Sequence, residues 1–171
     1  MDGLSIHRDD IMTMLPAKRI ALIGIFVSLS LVGSFIKIPS PLGSPALDSA
    51  PGYFSSLAFG PVEGFIVAFL GHLITSMTAG FPLGILHVFI GVGMGICAIL
   101  FRVCYEKWNS VTAVICGVVL NGVVLPLVVI PSFGIALYWG ILPSLLIASI
   151  LNICISAGIY VKIKDRITMT R

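Results

Sequence analysis

Apolar stretches long enough to cross a membrane alternate with short polar or proline- and glycine-rich breaks along nearly the whole chain. A helix needs roughly 20 mostly apolar residues to cross a bilayer, and a shorter one must be tilted or buried in protein. The pattern predicts helical segments at about 18–38, 48–60, 62–78, 85–103, 111–130 and 135–161. We therefore expect an all-α membrane protein, a compact bundle of six transmembrane helices.

The breaks carry their own signals. Three prolines between Pro39 and Pro45 exclude a helix there, and Gly60-Pro61 ends the short second segment. Asp48-Ser49 is expected to cap the start of that segment. Tight turns are predicted at 79–84 and 131–134 on the same side as the proline-rich stretch, and a polar loop at 102–110 on the other.

Positive charge is concentrated on one side of the predicted bundle. Of the ten Lys and Arg residues, only Lys37 falls on the opposite side. By the positive-inside rule the basic side is cytoplasmic, with both termini inside. We expect a multi-pass protein of the bacterial inner (cytoplasmic) membrane, with a cytoplasmic tail at 1–17, a transmembrane substrate-binding domain at 18–164 and a second tail at 165–171.

Composition narrows the functional classes. The chain is 58% hydrophobic and 10% charged, with a mean hydropathy of +1.13. It contains no phosphate loop, G-x-S-x-G, H-E-x-x-H or paired carboxylates, so we expect no enzyme and no cofactor. No basic run is interleaved with aromatic residues, which argues against nucleic acid as a partner. Few charges fall within the spans, which argues against ion pumping and favours a neutral or weakly charged organic ligand.

Polar and aromatic residues within the apolar segments are the candidate ligand contacts. His72 and His87 have no third ligand nearby in sequence, so a metal site is not expected. For the two intramembrane asparagines, helix–helix hydrogen bonding and ligand contact both remain open. The rings near the outer side are either belt residues or a shared pocket, and we favour the pocket. The predicted substrate-binding residues are Asp48, Tyr53, His87, Asn121, Trp139 and Asn152.

Small residues recur along one side of the first segment. They are Ala17, Ala21, Gly24 and Ser28. Such spacing permits close helix approach in lipid. It fits either packing inside the bundle or docking of another membrane subunit.

Three consecutive stretches carry a family resemblance. Residues 35–40 end the first span in a proline-rich outer loop, residues 47–54 open a short second helix, and residues 58–64 contain a Gly-Pro-x-x-Gly turn. This order resembles the substrate-binding (S) component of energy-coupling factor (ECF) vitamin transporters. The likeness extends from about Lys18 to Lys164.

The resemblance implies a mode of action. Such a component binds a vitamin or precursor on the outer side, under loops that correspond here to about 39–47, 79–84 and 131–134. It then topples in the lipid bilayer to release its ligand inside, with a transmembrane coupling subunit and two cytoplasmic ATPase subunits as partners. The family's Ala-x-x-x-Ala docking motif has two candidates, Ala17/Ala21 and Gly24/Ser28, the second of which lacks alanine. The resemblance thus favours docking over packing for these residues.

The resemblance also bears on the substrate. Cobalt and nickel members begin with Met-His, whereas this chain begins Met1-Asp2-Gly3, so a metal substrate is not expected. The segment 48–54 is most similar to carriers of alpha-ribazole, a cobalamin precursor. The resemblance therefore favours alpha-ribazole or a related cobalamin precursor as the substrate. A self-sufficient small-molecule facilitator or carrier remains the alternative.

Overall fold

The computed structural model describes residues 16–40 and 45–169, which form helices joined by turns and short connections, with no β-strand among them. The α-helices are α1 (Pro16–Ser34), α2 (Ala50–Ala58), α3 (Pro61–Thr78), α4 (Leu86–Lys107), α5 (Ser110–Val119) and α6 (Ile130–Met169). The predicted all-α class is confirmed for this part of the chain. Most of the predicted first tail, residues 41–44 of the proline-rich loop and the last two residues lie outside the described residues.

Four stretches are long and apolar enough to cross a membrane. They are Ala17–Ser34, Pro61–Thr78, Leu86–Lys107 and Ser110–Arg166. The last is not one straight helix, because Gly134 has φ 80° and ψ 166° and breaks it at the predicted 131–134 turn. With nine residues, α2 is too short to qualify, so the count of six spans stays a prediction. Large apolar side chains cover the outside of the long helices, as expected for a lipid-facing surface.

The short helix α2 is buried at the centre of the bundle, with every residue from Gly52 to Ala58 inside the protein. It packs against α3 at very close range, because a Cβ on Gly64 would lie 2.3 Å from the Cβ of Ser56. Gly60 turns the chain between the two helices with φ 138°, a conformation that favours glycine. The Gly-Pro-x-x-Gly turn is therefore the joint that sets α2 against α3.

Side chains from distant helices cap both ends of α2. The expected capping by Asp48-Ser49 is wrong in detail, because Ser49 occupies the N-cap position without a side-chain capping bond. Instead the Asn152 Oδ1 accepts hydrogen bonds from the backbone N–H groups of Ser49 (3.1 Å) and Ala50 (2.8 Å). A long amide from α6 thus satisfies donors that a local serine was expected to satisfy.

The other end of α2 is held by Arg102, which the sequence placed in a polar loop. That prediction is wrong: α4 continues to Lys107, and Arg102 is 9% exposed within it. Its Nη1 donates to the carbonyl oxygens of Ser56 (2.5 Å) and Leu57 (3.2 Å), and its Nη2 lies 2.6 Å from the Glu106 carboxylate. Because these partners compensate the buried charge, the guanidinium does not end the helix.

A second ion pair joins α1 to α3 near the same end of the bundle. Arg19 Nε donates to Glu63 Oε1 at 2.8 Å, and Glu63 is 3% exposed. Glu63 lies in the first turn of α3, where a negative charge also interacts favourably with the helix dipole. Among the described residues, no ion pair occurs at the opposite end of the bundle.

Candidate functional site

A cavity of about 160 Å³ lies at the end of the bundle remote from these ion pairs. It lies between the second half of α3, the start of α4, the 120–129 region and the first half of α6, under the connection between α1 and α2. The polar residues that line it are Asp48, Ser49, His72, Thr75, Ser76, His87, Asn121, Ser149 and Asn152. The apolar lining includes Ile90, Met94, Leu125, Val129, Leu137, Ile141 and Leu145.

The connection between α1 and α2 folds back on itself over this cavity. Lys37 and Ala46 form an antiparallel bridge, with a hydrogen bond of 2.7 Å from Ile38 N–H to the Pro45 carbonyl. The Ser144 hydroxyl of α6 donates to the Pro39 carbonyl at 2.7 Å. The proline-rich loop is therefore tied to the bundle, and its Pro45 and Ala46 line the cavity.

The turn between α3 and α4 forms a second part of the rim. Gly80 and Gly84 have φ of 77° and 56°, and Phe81 between them has φ 51°. This backbone brings Pro82 and Leu83 to the cavity wall. No residue of the 131–134 turn lines the cavity in this structure.

A hydrogen-bonded cluster joins α3 to the start of α4. His87 Nδ1 lies 2.8 Å from the Ser76 hydroxyl and 3.2 Å from His72 Nε2, and its Nε2 accepts from Leu83 N–H at 3.3 Å. Assigned from this network, His87 is neutral with its proton on Nδ1. Sequence reasoning named both histidines without pairing them. The His72-x-x-x-Ser76 spacing, one helix turn, was the available signal for the third member.

Asn152 lines the cavity with its amide fully engaged. Its oxygen accepts the two bonds at the start of α2, and its Nδ2 donates to the carbonyl oxygens of Ala46 (2.8 Å) and Ala148 (2.9 Å). Since an amide offers two donors and two acceptor positions, this side chain has no hydrogen-bonding capacity left. Asn152 therefore shapes the cavity by holding the α1–α2 connection against α6.

Asn121 lies in a π-helical turn, Leu120–Val124, that interrupts the regular helix after α5. Pro126 follows in a 3₁₀ segment and cannot donate a backbone hydrogen bond. Such π turns are frequent at functional sites. The Asn121 Nδ2 donates to the Ser149 hydroxyl at 2.8 Å, and among the described residues its amide oxygen has no partner. Asn121 therefore retains hydrogen-bonding capacity at the cavity wall.

Asp48 is the only acidic residue that lines the cavity within the described chain. It is 8% exposed, and burial raises the pKa of its carboxyl from 3.8 to about 6, although the Thr75 side chain, nearby backbone groups and the charge of Lys37 act to lower this pKa. Among the described residues it has no ion pair. A group on a ligand could supply that missing partner.

Tyr53 and Trp139 do not line this cavity. Tyr53 is fully buried in the core, where its ring meets Phe101 edge to face at 5.3 Å. Trp139 is 63% exposed and packs against Tyr138. No Phe, Tyr or Trp among the described residues lines the cavity, and its apolar wall is aliphatic. The shared pocket of aromatic rings stays a prediction.

The small residues of α1 lie on an exposed face. Ala17, Ala21, Gly24 and Ser28 are all exposed, and a Cβ added to Gly24 would meet nothing within 4 Å. They are therefore not used for packing inside the bundle. That role belongs to Gly33 of α1 and to Gly71 of α3, whose added Cβ would lie 2.7 Å from the Ser30 hydroxyl.

No group of three or more His, Cys, Asp or Glu side chains that could hold a metal ion occurs in the described part of the chain. The expectation against a metal substrate rests on the Met1-Asp2-Gly3 start, which lies outside that part.

Comparison with known proteins identifies a family and a solved structure that are similar to this chain. A family model described as the substrate-specific component of ECF transporters matches residues 18–163. A solved structure of the S component of a bacterial ECF transporter aligns with a TM-score of 0.70 and 22% identity, covering 88% of this chain and 98% of that one. At this identity the likeness shows the fold. No curated protein sequence matches.

Proposed function

Because the chain belongs to the family of substrate-specific components of ECF transporters, we propose that it captures a vitamin or vitamin precursor at the outer face of a bacterial cytoplasmic membrane. It is a multi-pass membrane protein and a transporter subunit, and members of this family work with an ECF module in the lipid membrane. In the proposed cycle a transmembrane coupling subunit and two cytoplasmic ATPases deliver the ligand inward. The family match over residues 18–163 is the observation that carries the proposal.

The distribution of basic residues supports the orientation that we propose for the bundle in the membrane. Arg19, Arg102 and Lys107 lie at the end of the bundle opposite the cavity, and basic residues favour the cytoplasmic side. The cavity end then faces outward, with the α1–α2 connection and the α3–α4 turn over its mouth. This supports capture from outside and release after the protein topples.

Alpha-ribazole or a related cobalamin precursor is the substrate that we propose. It combines a methylated bicyclic ring with a sugar that carries hydroxyl groups. The aliphatic wall of the cavity suits the ring, and the polar wall with Asp48, Ser76 and Asn121 suits the hydroxyls. Other vitamins or nucleoside-like compounds with this division into apolar and polar parts remain candidates.

Within the proposed site the residues have different tasks. Asp48 and Asn121 offer hydrogen-bonding groups to the ligand, whereas Asn152 encloses it. Both ring nitrogens of His87 are engaged, so its contact with the ligand stays a prediction. Contact of Tyr53 and Trp139 with the ligand stays a prediction, which requires rearrangement from the positions described above.

We also propose that the exposed small-residue face of α1 docks the coupling subunit. Ala17, Ala21, Gly24 and Ser28 present little side-chain bulk on a surface where the neighbouring side chains are large and apolar. Small residues allow another helix to approach closely in lipid, where van der Waals packing stabilises association. Both candidate pairs of the docking motif lie on this face.

A thermal-shift screen of the purified protein against alpha-ribazole, other cobalamin precursors and vitamins tests the proposal. A ligand at a hundredfold excess over its Kd stabilises the folded state by about 2.7 kcal/mol, which raises the melting temperature. Asn121→Ala should weaken the binding of the hit. Trp139→Ala should weaken it as well if the ring moves to the ligand as predicted, and should leave it unchanged if the ring stays outside the cavity lining. If no compound shifts the folded protein, and liposomes containing the chain alone show downhill uptake, the facilitator is the correct reading.

A further inference from the structure

Asp48 is the only charged side chain that lines the cavity within the described part of the chain. We infer that the site takes a ligand that presents a neutral or positively charged hydrogen-bond donor to Asp48, and that it rejects anions. The inference rests on the proposed binding role of this cavity and adds the chemical class of the ligand. It is argued from the charge, hydrogen bonding and burial of the lining residues.

No cationic side chain is available to pair with an anionic ligand. Neither Lys nor Arg occurs among the described residues that line the cavity. Arg19 and Arg102 are engaged with Glu63 and Glu106 at the other end of the bundle. Lys37 is exposed on the α1–α2 connection and is not part of the lining. A carboxylate or phosphate entering the cavity would therefore lose its hydration without gaining a counter-charge.

The two histidines do not replace that missing cation. The Nε2 of His87 accepts a hydrogen bond from Leu83 N–H, which a protonated nitrogen could not do. The 3.2 Å contact between His72 Nε2 and His87 Nδ1 likewise requires one of the two nitrogens to accept. The network is satisfied with two neutral rings, which bring no positive charge to the cavity.

Asp48 provides the complementary group. A carboxylate accepts about four hydrogen bonds, and the hydrogen-bonding groups close to Asp48 are the Thr75 side chain and the backbone N–H groups of Asp48 and Ser49. The Thr75 hydroxyl also donates to the Gly71 carbonyl and the Ser49 N–H to Asn152, and none of these groups carries a positive charge. The other charged or titratable groups near it are Lys37 on the connection and Tyr53 of α2. Burial raises the pKa of this carboxyl to about 6, which reflects the cost of an ionised group without a close counter-charge. A ligand amine or hydroxyl would reduce that cost, whereas an anion would increase it.

The opposite wall specifies the rest of the ligand. Ile90, Met94, Val129, Ile141 and Leu145 present aliphatic surface and no hydrogen-bonding side chains. An occupant that satisfies both walls is amphipathic, with an apolar or aromatic body and its donors gathered on one side. Small aromatic compounds that differ only in their charged group are therefore suitable probes.

The test compares benzylamine, benzyl alcohol and benzoate, which share one aromatic body and carry a positive, a neutral and a negative group. Binding to the full chain in nanodiscs is measured at pH 7.5 by saturation-transfer NMR, with empty nanodiscs as background. We expect benzylamine and benzyl alcohol to bind, and benzoate to bind at least about tenfold more weakly than benzylamine. Benzoate binding as tight as that of benzylamine would overturn the inference, and so would the absence of binding by all three.

Two variants assign the effect to its residue. Asp48→Asn should remove the preference for benzylamine over benzoate, whereas Asp165→Asn, which neutralises an exposed carboxylate far along α6, should preserve it. A preference that persists in Asp48→Asn would overturn the assignment to Asp48. The comparison of probes on the parent protein needs no variant, so it decides the sign of the selectivity even where Asp48→Asn does not fold.

The outcomes separate this inference from the proposed function. If a vitamin binds in the thermal-shift screen while the probes show no preference against the anion, the transporter role is supported. The inferred charge selectivity is then wrong. Charge-selective probe binding without any vitamin hit supports the selectivity and leaves alpha-ribazole as the failed claim.

Discussion

Residue type does not decide what a polar side chain does at this cavity, whereas its hydrogen-bond partners do. Asn121 and Asn152 are the same amide in comparable apolar surroundings. Asn152 uses both donors and both acceptor positions to hold backbone groups, whereas Asn121 uses one donor. Asp48 represents a third case, a buried carboxylate without an ion-pair partner among the described residues. Such a group lowers the stability of the protein without ligand, and this effect can be measured through its dependence on pH.

At this scale we predict that Asp48 destabilises the empty protein at neutral pH. The pKa of its carboxyl is 3.8 in the unfolded reference and about 6 in the folded protein, so the folded state binds this proton more tightly between those values. The free energy of unfolding therefore falls as the pH rises through this window, by ~3 kcal/mol, and stays lower above it. The melting temperature of Asp48→Asn relative to that of the parent should accordingly rise between pH 4 and pH 7.5, because the asparagine does not ionise.

Melting temperatures of the parent, Asp48→Asn and Asp165→Asn in detergent across this pH range provide the check. Asp165 is exposed, so its variant should follow the parent at every pH. A difference between parent and Asp48→Asn that does not change with pH would contradict the prediction.

At the scale of elements, the short helix α2 depends on its neighbours. Nine residues do not form a stable helix alone, and this one lacks a side-chain cap of its own. Asn152 of α6 holds its first turn and Arg102 of α4 holds its last carbonyl groups. The helix therefore couples the cavity, through Asn152, to the ion-paired end of the bundle, through Arg102.

We predict that Arg102→Met lowers the free energy of unfolding by about 3 kcal/mol, because it leaves the carbonyl groups of Ser56 and Leu57 buried without donors. Lys107→Met, which removes an exposed charge one turn and a half further along α4, is the matched control and should cost much less. Thermal unfolding followed by circular dichroism measures both. Equal melting temperatures for the two variants would show that Arg102 does not stabilise α2.

At the scale of the whole molecule, the two proposed functional surfaces lie on different parts of the bundle. The cavity is enclosed by the second half of α3, the start of α4 and the first half of α6. The small-residue face is on the outside of α1, toward the end that carries Arg19. Ligand capture and subunit docking should therefore be separable by mutation.

Gly24→Leu is predicted to reduce co-purification with the coupling subunit at least tenfold while leaving ligand-induced thermal stabilisation unchanged. A Cβ at this exposed position meets nothing within 4 Å in this chain, so we expect the fold to accept the larger residue, which blocks close helix approach from outside. Gly158→Leu introduces the same change at another open, exposed glycine on α6 and should dock normally. Equal recovery of the coupling subunit with both variants would place the docking surface elsewhere.

The sequence alone was sufficient for the helical class, the breaks between the long apolar segments and the family. Hydrophobic length, proline and glycine are local properties, and lipid requires every spanning backbone to satisfy its own hydrogen bonds. Periodicity also placed Asp48, His87, Asn121 and Asn152 in or beside spans, where polar groups need partners. It could not distinguish a saturated amide from a free one, because every partner of Asn152 except the Ala148 carbonyl lies about a hundred residues away in the chain.

Only the tertiary structure decided where the charges and rings belong. Arg102 was predicted in a loop because its charge ends an apolar run, yet Ser56 and Leu57 from another helix make its burial possible. Tyr53 lies near the end of a predicted segment, and the packing of α2 places its ring in the core against Phe101. The pairing of His72 with His87 and the π turn at Asn121 likewise arise from the packing of helices against one another. Local sequence determines which segments enter the membrane, whereas contacts between distant segments determine which side chains face the cavity.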